Sequence, residues 1–182
     1  YEKLICYLQL RQFEEAIATA DRCLNYLEEG TFNWFKLYEL YFLVFMHSAR
    51  YADAAEKLKK ALEHPSFNHL PENIQETWKI FEAYTFFLET IGLVENSGSE
   101  GPQHKNFRMT KFVKEMRVFS KDKQGMNIPI LMLEILMAIG KKQYSELIDR
   151  LEAIDKYRRR YLNGTEIERT SLFLKMLLQL PK

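Results

Sequence analysis

Halfway through residues 31–62 the pattern of apolar positions changes. The first part, TFNWFKLYELYFLVFMHSA, is apolar around almost its whole circumference when wound as a helix. The second, RYADAAEKLKKAL, is one-sided. Its Tyr51, Ala54, Ala55, Leu58, Ala61 and Leu62 recur at helical spacing, while Asp53, Glu56, Lys57, Lys59 and Lys60 fall mainly opposite. Ala54 and Ala61 stand two turns apart and leave room for a neighbouring helix, and Trp34, Leu37, Tyr38, Tyr41, Phe42 and Phe45 supply the bulk to fill it. The stretch reads as a helical hairpin. A helix apolar all round needs cover on several sides, so further layers are required. It does not read as a membrane span: Lys36, Glu39 and His47 interrupt it, and the uncharged part, 40–46, is far short of the ~20 residues a bilayer requires.

The same periodicity continues along the chain. Residues 1–10 read as the end of a helix, with Leu4, Ile5 and Leu8 on one side. A second helix opens at Gln12–Ala16, carries Ile17, Ala20, Cys23, Leu24 and Leu27, and is expected to stop at Gly30. After the hairpin, Pro65 breaks the chain, and Pro71 suits the first turn of a helix running through Trp78, Phe81, Tyr84 and Phe87 to Ile91. Residues 95–106, ENSGSEGPQHKN, form a polar, Gly/Ser-containing loop. Helices follow over 107–121, over a run containing Pro129, Leu131, Leu133, Ile135 and Leu136, over 144–162, and over a last segment that Thr165 and Glu168 would open as a capping box. The count is about nine helices and no strand.

Composition narrows this reading. Seven glycines and five prolines in 182 residues argue against an all-β or disordered chain. The sequence starts at Tyr1, already inside a helical pattern, and is read as part of a longer protein. Cys6 and Cys23 would lie ~9 Å apart along the helix axis, too far for a bridge. Both are expected to be reduced and buried, in a reducing, cytoplasmic compartment. The net charge of +1 conceals an acidic half (residues 1–100: nine Lys/Arg, sixteen Asp/Glu, net −7) and a basic half (101–182: seventeen and nine, net +8). Such a split suggests contact between the halves or an acidic ligand for the second.

Aromatic residues start four helices, at Phe13, Tyr51, Phe107 and Tyr144, at intervals of 38, 56 and 37 residues. The loop at 95–106 accounts for the long interval. Such a period marks a solenoid, whose units cannot cover their apolar faces alone. The pattern resembles the tetratricopeptide repeat. Tyr51, Ala54, Leu58 and Ala61 match its second helix. Phe13, Ala16, Ala20 and Cys23 match with a small residue at the bulky position. Tyr144, Leu147, Leu151 and Ile154 keep the spacing with larger side chains, while Phe107, Thr110, Lys114 and Arg117 fit poorly. Phe42 stands where the motif has glycine, and the closing proline is displaced to Pro65. The resemblance implies a right-handed α-solenoid of antiparallel helix pairs forming one array, with an acidic half (1–94), a loop insertion (95–106) and a basic half (107–182). It also implies a scaffold whose concave groove, lined by the first helix of each pair, takes a peptide or partner helix. Aligned on Tyr51, that groove would carry Lys36, Glu39, Leu43, Met46 and His47.

Catalytic patterns are missing from the sequence. His47, His64, His69 and His104 make no HExxH or zinc spacing, and no phosphate loop or dinucleotide fingerprint occurs. Neither enzymatic activity nor a cofactor or metal is expected. The positive feature is a basic stripe, Arg108, Lys111, Lys114, Arg117 and Lys121, with Lys105 beside it and a second cluster at Lys156, Arg158, Arg159 and Arg160. It offers an alternative function: binding nucleic acid or an acidic partner. A third reading is the sensor or oligomerisation part of a larger regulator.

Overall fold

A computed structural model of the chain describes residues 1–94, 111–112, 127–161 and 168–179. Every regular element among them is helical, as the apolar periodicity requires. The α-helices are α1 (Glu2–Gln9), α2 (Phe13–Leu24), α3 (Phe32–His47), α4 (Tyr51–Leu62), α5 (Glu72–Thr90), α6 (Asn127–Gly140), α7 (Tyr144–Tyr161) and α8 (Glu168–Leu177), with a 3₁₀ turn at Pro65–His69. Of the helix expected over 107–121, Lys111 and Phe112 are helical and the rest lies outside the described residues. Among the described residues no helix is long and apolar enough to cross a membrane. The chain divides into two compact units, Tyr1–Phe107 and Arg108–Lys182.

In the first unit each helix packs on the next, α1 on α2, α2 on α3, α3 on α4 and α4 on α5, and α1 also reaches α3. Phe13 and Tyr51 are the first residues of α2 and α4. Counting from each, Ala16 and Ala20, then Ala54, Leu58 and Ala61, are almost wholly buried. Alanines at these contacts let the bulky α3 lie close on both sides. Eight of the sixteen residues of α3 are buried, which explains its nearly even apolar distribution. Thr31 caps it, its hydroxyl accepting from Trp34 N–H at 3.4 Å and donating to the Glu28 carbonyl at 2.7 Å.

Three interhelix turns share one geometry. Arg11, Ala49 and Lys142 lie at φ 58°, 59° and 56°. Around each, the left-handed residue donates to the carbonyl three back (Leu8, Met46, Ile139) and the next residue to the carbonyl five back (Tyr7, Phe45, Ala138). This is a Schellman closure, formed here without its usual glycine.

Two expectations fail in this unit. Helix α2 ends at Leu24, well before Gly30, which serves a turn entering α3 at φ +79°. The apolar step from Leu24 to Leu27 prolongs the helical period beyond the helix itself. Cys6 is exposed rather than buried, because α1 turns Leu4, Tyr7 and Leu8 to the core and Cys6 away from it; Cys23 is half-buried, and neither is bridged.

In the second unit Tyr144 opens α7, whose Leu147, Leu151 and Ile154 pack with Ile135 and Ala138 of α6. Leu177 and Leu178 bring α8 onto the same cluster. Helix α6 buries Ile130, Leu133, Glu134, Ile135, Met137 and Ala138, positions spread around its circumference. Its Glu134 pairs with Arg150 of α7 at 3.3 Å, a largely shielded ion pair.

Candidate partner-binding surface

Helix α3 is fixed by aromatic packing along one side. Trp34, Tyr38, Tyr41 and Phe45 recur at spacings of four, three and four. Their rings form a column, with centroids 4.0, 6.0 and 5.7 Å apart in succession. Cations from the α4 segment cover it: Arg50 stands 4.9 Å from the Phe45 ring, Lys57 5.8 Å from Tyr41, and Lys60 5.7 and 5.8 Å from Tyr38 and Trp34. Tyr38 holds Lys60 charged by hydrogen bonding, with Glu29 adding to the effect, so the pKa of Lys60 is raised. Tyr41 donates to the Asp21 carboxylate of α2; burial first, and then this bond, raise its pKa. Another side of α3 reaches α5 through Phe42, stacked on Phe81 at 4.3 Å, and reaches the 3₁₀ turn through Phe35, 6.1 Å from Phe67.

What is left open is the side nominated from the sequence. Lys36, Glu39, Leu43 and Met46 are half-buried and His47 is exposed. Lys36 and Glu39 pair at 2.6 Å. At 100° per residue, Lys36, Leu43 and His47 fall within about 40° of one another, with Glu39 and Met46 on one flank. Leu43 and Met46 rest their inner atoms on the core. Phe32, one turn before Lys36, extends the row and is 49% exposed. The alignment on Tyr51 omitted it; its helical spacing from Lys36 was the available signal. Tyr1 donates to the Asn33 carbonyl at 2.6 Å and ties α1 to this end of α3.

The basic stripe is not assembled by the described residues. Arg108, Lys114, Arg117, Lys121 and Lys105 lie outside them, and Lys111 is exposed on its short helical segment. In the second cluster Lys156 pairs with Glu152 at 3.8 Å and Arg159 with Asp155 at 2.6 Å, which neutralises both cations locally. His64 has a structural part: its Nδ1 accepts from Ser66 N–H at 3.1 Å and caps the 3₁₀ turn. Among the described residues no three His, Cys, Asp or Glu side chains converge as metal ligands.

Compared with protein-family models, curated proteins and solved structures, the chain matches none.

Proposed function

We propose that this chain is a non-catalytic interaction scaffold, built on the plan of tetratricopeptide arrays, that docks a peptide or partner helix along the open side of α3. The observation that carries this reading is the contrast between the two sides of that helix. One side is locked by the aromatic column and its cationic cover; the other presents Phe32, Leu43 and Met46 beside a polar Lys36–Glu39 pair. A fixed backbone bearing apolar anchors and a polar rim loses little entropy on binding. The stacked-pair plan is supported by the shared register, in which the third, seventh and tenth positions after Tyr51 and Tyr144 are buried, and by the repeated turn geometry. Two unbridged cysteines fit a reducing compartment such as the cytoplasm.

Peptide display on the intact chain, followed by titration of a selected binder, tests the proposal. Leu43→Glu and Met46→Glu should each weaken binding by about tenfold or more, as expected for burying a carboxylate against an apolar anchor. Unchanged affinity with an unchanged helical circular-dichroism spectrum excludes this face.

A further inference from the structure

We propose that the outer face of α7 is a two-fold interface between copies of this chain. One side of α7 carries Leu147, Leu151 and Ile154 into the core with α6. On another side Ile148, Glu152, Asp155 and Arg159 follow one another at steps of four, three and four, a straight row over about three turns. With Lys156 and Leu178 they line an open groove of about 530 Å³.

The row is acidic towards the start of α7 and basic towards its end. Reversed about the midpoint between Asp155 and Lys156, each acid takes the place of a base: Glu152 meets Arg159 of the second copy, and Asp155 meets Lys156. An isologous dimer requires a surface complementary to itself under that reversal, and all four charged positions satisfy it. Within one chain the same groups pair lengthwise, Lys156 with Glu152 and Arg159 with Asp155, in a ladder that holds them in line. A carboxylate accepts several hydrogen bonds and a guanidinium donates five, so the ladder can engage a second one across the axis. A partner of uniform charge meets like charge at two of the four positions, which favours a second copy over an acidic or basic ligand. Apolar surface accompanies the charges. Ile148 is 48% exposed on α7, and Leu178 lines the same groove.

The test is sedimentation of the full chain across a concentration series, with two double variants. Glu152→Lys/Asp155→Lys makes the row basic and Lys156→Glu/Arg159→Glu makes it acidic. The Lys156–Glu152 pair is exposed and worth little to folding, whereas the Asp155 carboxylate is only 19% exposed, so circular dichroism must show that each variant keeps its helicity. The wild type should dimerise, each variant alone should associate at least about tenfold more weakly, and an equimolar mixture should form a 1:1 heterodimer. A wild type monomeric throughout the series, a variant that dimerises like the wild type, or folded variants that fail to pair when mixed overturns the proposal.

Discussion

Replacing Gly30 with alanine places a methyl group where His64 stands. Gly30 has φ +79°, and a Cβ built there overlaps His64 Cε1 and lies 2.9 Å from Nε2. The left-handed backbone costs a residue with a Cβ about 1–2 kcal/mol. The imidazole cannot retreat freely. It caps the 3₁₀ turn through Ser66 N–H, and its ring lies 5.3 Å from Trp34 and 5.7 Å from Phe35. Losing the cap costs about 0.5–1.5 kcal/mol, and disturbing the ring contacts a comparable amount. The stiffer unfolded chain returns about 0.4–1 kcal/mol. Gly30→Ala should therefore destabilise by about 2–4 kcal/mol, against about 1 kcal/mol for backbone strain alone. A double-mutant cycle with His64→Ala separates these contributions, because removing the ring removes the overlap and leaves the strain. Urea unfolding with unchanged slope should show the double variant about 1–3 kcal/mol more stable than additivity allows. Additive losses, or a Gly30→Ala cost below about 1 kcal/mol, refute the packing described around His64.

Ala49→Gly should stabilise the chain by up to about 1 kcal/mol, since relief at φ 59° exceeds the entropy glycine adds to the unfolded state; the urea midpoint measures it. Alkaline stability should depend on buried tyrosines. Burial pushes Tyr84 up to about 12, and Tyr41 is also raised, by burial and then by its bond to Asp21. Both folded-state values exceed the ordinary tyrosine value near 10, so each contribution is complete below about pH 10, and that of Tyr84 is lost as pH rises through about 12. Tyr84→Phe should flatten the fall of the urea midpoint over that window, and an unchanged slope contradicts the assignment.

The hairpin of α3 and α4 was legible because periodicity and side-chain size agree. Trp34, Tyr38 and Tyr41 of α3 lie under cations of α4, whose Ala54 and Ala61 are buried two turns apart, an arrangement with few packing solutions. The turns were legible in place but not in kind. Arg11, Ala49 and Lys142 carry positive φ that sequence reasoning assigns to glycine, and each turn is closed there by its pair of Schellman hydrogen bonds. Gly30 misled for the complementary reason: its conformation serves the approach of His64, 34 positions away, and no local pattern reports that contact. Cys6 was expected to be buried from its residue type, whereas the apolar period of α1 runs through Leu4 and Leu8 and leaves Cys6 on the opposite side. At the α3 site, the alignment on Tyr51 supplied Lys36, Glu39, Leu43, Met46 and His47. Phe32 escaped it because aromatic residues in so apolar a helix read as core.

The scaffold reading rests on which face of α3 a partner touches. Methyl NMR of the leucine- and methionine-labelled chain, titrated with a display-selected peptide, observes this directly. The account predicts that Leu43 and Met46 shift while Leu37 and Leu58, sealed beneath the aromatic packing, stay in place. Saturable binding that moves neither Leu43 nor Met46 contradicts it.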